Sequence, residues 1–114
     1  MMNNVITKRS EFLKEEYYKY THKSGLEVYV FPKKLSTTYA LFATRYGSID
    51  SRFKLAGDEK FTEVPDGIAH YLEHKLFENP NGEDTFTRYA KYGASANAYT
   101  SNTMTAYLFS SFFA

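Results

Sequence analysis

His70, Glu73 and His74 lie within five consecutive residues, at a spacing that could do chemistry. In an α-helix each residue turns by roughly 100°, so the two histidines would lie ~40° apart on one face, one turn apart. Two imidazoles so placed can converge on one zinc ion, which binds neutral imidazole in a tetrahedral site. Glu73 would lie near a zinc-activated water without being a ligand. The pattern predicts metal-assisted hydrolysis with Glu73 as general base, although an incidental histidine pair has the same spacing.

The helix that must hold these residues has recognisable boundaries. Asp66 is the predicted N-cap, and the Asn-Pro-Asn-Gly segment at 79–82 stops the helix. A second helix is predicted over residues 84–92, with Gly93 beyond its end. The apolar residues of the first helix recur at helical spacing and are predicted to face a core: Ile68, Ala69, Leu72 and Leu76.

The remaining segments predict strands. Residues 1–16 are predicted to be a polar lead-in, either loose or a short helix, followed by one partial domain over 17–114. Strands are predicted at 17–21, 26–31, 37–46, 95–100 and 103–112, with a long loop at 47–63. The second strand alternates, with Leu26, Val28 and Val30 on one face, and is predicted to be half-buried. This order predicts an α+β fold in which helices cover one face of a mainly antiparallel sheet.

Composition limits the possible partners and compartments. The 114 residues are 43% hydrophobic with a net charge of +1, so no charge excess indicates nucleic acid or an anionic membrane as partner. The absence of cysteine excludes disulfides and cysteine-bound zinc. No apolar run suits a signal peptide or a membrane span, and a cytoplasmic location is predicted.

Several segments together resemble the insulinase/pitrilysin family of zinc metallopeptidases, the inverzincins. The segment 67–77 (GIAHYLEHKLF) resembles the zinc-binding helix of that family, with its H-x-x-E-H signature. The segment 92–101 (YGASANAYTS) resembles the strand that follows, and 105–109 (TAYLF) resembles the next one. Upstream, Gly25-Leu26 and the run 46–48 (Tyr-Gly-Ser) also agree. The similarity is greatest to small bacterial processing-peptidase-like members.

The resemblance implies a role for each matching position. His70 and His74 would be zinc ligands and Glu73 the catalytic base. Asn97, Ala98 and Tyr99 would lie on a strand that pairs with an extended peptide substrate. A competing interpretation is that Ala96 and Ala98 are small only so that they pack beneath a helix.

The sequence departs from the family pattern at the third ligand, which in the family is a glutamate on a later helix. Glu78 lies two helical turns, ~12 Å, from His70 and does not suit the role. We therefore expect a piece of a family domain, with little activity alone, that acts with the remainder of a longer protein or with a second peptidase-like subunit. The alternative is a non-catalytic scaffold subunit. Such members typically lose a motif residue, whereas all three are present here.

Overall fold

A computed structural model describes residues 5–112. The chain divides into two compact units, one ending at Leu35 and the other beginning at Ser36. The first unit is built from β1 (Val5–Ser10), β2 (Glu15–Thr21) and β3 (Glu27–Val30). The second contains β4 (Thr37–Thr44), β5 (Arg52–Phe53), β6 (Thr62–Glu63), α1 (Ile68–Lys75), α2 (Thr85–Ala90), β7 (Ala94–Thr100) and β8 (Thr105–Phe112).

The first unit is an antiparallel sheet in the order β1-β2-β3. Val5 lies opposite Tyr20, and Ser10 lies opposite Glu15. The prediction of a loose or helical lead-in is therefore wrong over residues 5–16, while residues 1–4 lie outside the described part. Five of the six residues of β1 are exposed and Ser10 is half-buried, so pairing with β2 rather than burial holds this strand. A strand without a buried face lacks the apolar alternation by which strands are recognised.

The prediction of a half-buried strand is also wrong for β3. Leu26, Val28 and Val30 are all exposed. Within its own unit β3 pairs with β2, and all four of its residues are exposed. Alternation predicts which side chains share a face, but it does not say whether another element covers that face.

The second unit confirms the predicted α+β arrangement. Its main sheet is antiparallel, in the order β4-β8-β7, and both helices pack on β7, with α1 reaching β8. The β7 residues turned toward the helices are small and half-buried: Ala94, Ala96, Ala98 and Thr100. Aromatic rings complete this layer, since Phe77 stacks on Phe86 at 4.6 Å between centroids and Tyr89 lies 5.9 Å from Phe109.

The predicted long loop at 47–63 contains a short antiparallel ribbon of β5 and β6. The start of this segment is docked on the turn between β7 and β8. Ser48 N–H donates to the Ser101 carbonyl at 2.9 Å, and Ile49 N–H donates to the Asn102 carbonyl at 3.1 Å. Sequence gave no sign of this docking, because its hydrogen bonds join backbone groups more than 50 residues apart.

Candidate metal and catalytic site

Helix α1 begins at a glycine rather than at the predicted aspartate cap. Gly67 is the N-cap residue with φ of +83°, and no side chain caps this helix end. Asp66 is therefore not the N-cap, because the left-handed turn that starts the helix falls at Gly67, where a side chain would be strained. An aspartate does cap the second helix, α2. Asp84 is the N-cap, and its Oδ1 accepts a hydrogen bond of 2.9 Å from Phe86 N–H.

The two histidines meet on one exposed face of α1. His70 Nε2 and His74 Nε2 lie 2.9 Å apart, and their rings stack at 21° with centroids 4.8 Å apart. Tetrahedral zinc with imidazole ligands at ~2.0–2.1 Å would hold two such nitrogens about 3.3 Å apart. The donor atoms are therefore near the spacing that a shared ion requires, and a small rotation of either ring would complete it.

Glu73 is turned toward the sheet. It is 8% exposed, like its helical neighbour Ala69 at 2%, whereas Leu72 and Leu76 are 46% and 62% exposed. The predicted apolar stripe is thus wrong for both leucines. The helix buries the face of Ala69 and Glu73 against β7 and β8, and Glu73 Oε2 accepts a hydrogen bond from Thr100 Oγ1 of β7.

Tyr107 on β8 lies near Glu73 and Phe77. Burial, and secondarily the negative charge of Glu73, raise the pKa of the Tyr107 phenol. Its ring also contacts Phe77, with centroids 5.9 Å apart.

Within residues 5–112, no set of three acidic or histidine side chains is close enough to hold a metal ion. Two carboxylates that follow the helix pair with lysines instead. Glu78 pairs with Lys75 at 2.6 Å, and Glu83 lies 3.6 Å from Lys91 Nζ. The described chain therefore brings two imidazole ligands together and leaves the remaining positions of a tetrahedral ion to other groups.

A cleft of about 720 Å³ opens beside this pair. Its walls come from the end of α1, the 78–84 loop, the start of α2 and the outer edge of β7. They include Glu73, His74, Phe77, Phe86, Asn97 and Ala98. The cleft therefore brings one histidine and the buried glutamate together with two of the three residues predicted to bind substrate.

The predicted substrate-binding residues lie on an outer strand. β7 is at one edge of the sheet, with Asn97 and Tyr99 exposed and Ala98 half-buried on the helix side. The Ala98 side chain packs toward the helices, so the competing interpretation of Ala98 as a small packing residue is also consistent with the structure. Asn97 Oδ1 accepts a hydrogen bond of 2.8 Å from Ala98 N–H.

Sequence reasoning did not single out three neighbours of Glu73 and the cleft: Thr100, Tyr107 and Phe86. The run Asn-Ala-Tyr-Thr at 97–100 contained the one sequence signal that could have identified Thr100. Because side chains alternate between the two faces of a strand, residues 98 and 100 lie on the same face, and Thr100 would therefore lie on the helix side of the sheet with Ala98. Its pairing with Glu73 depends on how α1 is rotated, which no local pattern specifies.

Residues 57–113 match the family described as Insulinase (Peptidase family M16), and the chain belongs to this family. It is 58% identical over 102 residues to "Uncharacterized zinc protease YmfH" of Bacillus subtilis strain 168, covering 89% of this chain and 24% of that protein. It is 44% identical over 50 residues to "Putative zinc protease AlbF" of Bacillus subtilis, covering 44% of this chain and 12% of that protein.

A solved structure agrees with this assignment. The fold matches a "putative M16-like peptidase" from Alicyclobacillus acidocaldarius with a TM-score of 0.76 and 42% identity, covering 99% of this chain and 24% of that one. The chain thus spans about a quarter of the length of YmfH and of this peptidase. Within residues 5–112 no helix is long and apolar enough to cross a bilayer, and the cytoplasmic location stays a prediction.

Proposed function

We propose that this chain supplies the metal-binding helix, the general base and the substrate-pairing strand of a zinc metallopeptidase that hydrolyses peptide bonds. The observation that carries the proposal is the convergence of the His70 and His74 Nε2 atoms, 2.9 Å apart, on the helix that also carries the buried Glu73. The names of the two Bacillus subtilis relatives, both called zinc proteases, support it.

His70 and His74 would hold the zinc ion through Nε2. When bound, zinc supplies a Lewis acid that polarises a peptide carbonyl and makes water more acidic. Glu73 would take a proton from the attacking water and pass it to the leaving amine. Burial suits Glu73 to this task, because a carboxylate withdrawn from solvent keeps its electrostatic effect on a neighbouring water.

The substrate would be an extended peptide lying along the edge of β7. Main-chain hydrogen bonds to Ala98 and its neighbours would hold it, and the cleft beside Phe77 would take a side chain next to the cut bond. Because the Asn97 side chain covers the Ala98 amide, pairing with substrate requires Asn97 to rotate away from it. The third metal ligand would come from polypeptide outside residues 5–112, either the remainder of a longer protein or a second peptidase-like subunit.

Metal binding is tested by titrating the purified chain with zinc in a calorimeter. We expect one site that is lost in His70→Ala and in His74→Ala and retained in Glu73→Gln. His22→Ala is the matched control, because His22 lies in the turn after β2 and bonds Ser24 rather than the other histidines. Zinc binding that persists unchanged without His70 would overturn the ligand assignment.

Hydrolysis is tested in a chimera in which this chain replaces the matching 102-residue stretch of the relative YmfH. The intact relative is assayed in parallel, and peptide mixtures are analysed by mass spectrometry. We expect zinc-dependent cleavage that falls at least ~10²-fold in Glu73→Gln, the usual contribution of a general base. Equal cleavage by the chimera with and without the Glu73 carboxylate would remove Glu73 from the mechanism.

A further inference from the structure

We propose that Thr100 is a positioning residue for Glu73, holding one carboxylate oxygen so that the other faces the cleft. This inference rests on the proposed function, because it assigns a purpose to the orientation of the general base. It adds a residue that lies 27 positions further along the chain and on a different element.

The contact joins the buried face of α1 to the last residue of β7. Thr100 is half-buried on the helix side of the sheet, and its Oγ1–H donates to Glu73 Oε2. Within residues 5–112, this is the one hydrogen bond to the Glu73 carboxylate. The carboxylate has two oxygens, so the bond to Oε2 leaves Oε1 available, and Glu73 is one of the residues that line the cleft.

A glutamate side chain has three rotatable bonds, and its carboxylate can occupy many positions when nothing holds it. A proton acceptor is efficient only when its oxygen lies within hydrogen-bond reach of the water it serves. Thr100 meets this need because a β-strand side chain is fixed by the sheet and its hydroxyl bonds a single oxygen. The geometry therefore assigns Thr100 to orientation and leaves the chemistry to Glu73.

The neighbouring strand provides a matched control. Thr105 lies directly opposite Thr100 in the β7–β8 register and is 2% exposed. Its Oγ1 donates to the Tyr46 carbonyl at 2.7 Å rather than to Glu73. Removal of this hydroxyl perturbs the same pair of strands but leaves the Glu73 contact in place.

The first experiment measures three-bond proton couplings of the Glu73 side chain by NMR in the 114-residue chain, independently of any activity. We expect a single dominant rotamer in the native chain, in Thr100→Ser and in Thr105→Val, and averaged couplings in Thr100→Val. Thr100→Ala repeats the loss of the hydroxyl should Thr100→Val fail to fold, as judged by amide dispersion. An unchanged single rotamer of Glu73 in the folded variants without the hydroxyl would overturn the proposal.

The second experiment measures kinetics in the YmfH chimera. We expect Thr100→Val to lower kcat by roughly tenfold to 10²-fold with little change in KM, since misplacing a catalytic group by about 1 Å costs up to 10²-fold. Thr100→Ser should restore most of the rate. If the couplings respond and no zinc-dependent hydrolysis occurs, the positioning role stands and the proposed function fails. If hydrolysis requires Glu73 but the couplings do not respond, only the positioning role fails.

Discussion

Asn97 covers the backbone amide of its own successor, with Oδ1 accepting from Ala98 N–H at 2.8 Å on the outer strand of the sheet. An uncovered amide at a sheet edge is a template for pairing with another strand. A side chain that occupies this amide blocks pairing until it rotates. The same residue therefore protects the edge in the free chain and would admit an extended peptide when displaced.

Replacing Asn97 with Ala should expose the Ala98 amide. We expect its hydrogen exchange, measured by NMR, to accelerate roughly two- to tenfold, because a typical hydrogen bond contributes about 0.5–1.5 kcal/mol. Ser95→Ala is the control, since Ser95 shares the exposed face of β7 and lies two residues earlier. Equal exchange of the Ala98 amide in both variants would mean that Asn97 does not protect it.

The two aspartates that precede the helices should respond differently to substitution. Asp84 accepts a hydrogen bond from Phe86 N–H, so Asp84→Ala should lower the free energy of unfolding by about 0.5–2 kcal/mol. Asp66 does not cap α1, so Asp66→Ala should change the free energy of unfolding by less than about 0.5 kcal/mol. Urea denaturation measures both. A larger loss of unfolding free energy in Asp66→Ala would show that Asp66 does cap α1, as the sequence predicted.

Gly47 allows the 47–50 segment to dock on the turn between β7 and β8. A Cβ at this position would lie 2.4 Å from the Asn102 carbonyl oxygen, so Gly47→Ala must displace one backbone from the other. We expect a loss of about 1–3 kcal/mol in unfolding free energy, as for other overpacked sites. We also expect faster hydrogen exchange at Ser48 and Ile49, whose amides bond across this contact.

Gly57→Ala is the comparison for that result. Gly57 has φ of +96° and open space around the missing Cβ, so its substitution strains the local backbone without a collision. Gly57→Ala should lower the free energy of unfolding by about 1–2 kcal/mol and leave hydrogen exchange at the Ser48 amide unchanged. If Gly47→Ala also leaves that exchange unchanged, the close approach does not hold the segment in place.

Tyr107 should titrate above the ordinary tyrosine value of about 10, because burial and the Glu73 charge raise its pKa. The folded state then holds this proton more tightly than the unfolded chain does. The resulting stability is fully present below about pH 10 and is lost as pH rises through the raised pKa. Ultraviolet absorbance of ionised tyrosine measures the titration, and Tyr107→Phe identifies the responsible residue.

The Glu73→Gln variant separates the two causes of that shift. It should lower the pKa of Tyr107 in part, because the negative charge is removed while burial persists. Unfolding measured in urea at about pH 8 and about pH 11 should show a smaller loss of stability in Tyr107→Phe than in the native chain. No change in the Tyr107 titration in Glu73→Gln would show that the carboxylate does not act on it.

Local pattern in the sequence determined the spacing of the two histidines, the existence of both helices and the hairpin of β7 and β8. These features depend on residues close together in the chain, where the helical repeat or strand alternation decides which side chains share a face. Pairing with β2 made residues 5–10 a strand, and docking on the turn between β7 and β8 placed the 47–50 segment, in both cases through backbone hydrogen bonds between distant residues. Burial of β3 was predicted wrongly because a shared face says nothing about what covers it.

The tertiary structure alone decided how α1 is rotated about its axis. Apolar periodicity favoured Ala69, Leu72 and Leu76 as buried positions; the helix buries Ala69 as predicted, but it buries Glu73 and leaves both leucines exposed. The small side chains of β7 let α1 approach closely, and Thr100 offers a hydrogen bond that the buried carboxylate requires. Because that partner lies on a strand 27 residues away, the orientation of Glu73 is a property of the folded chain and not of its local sequence.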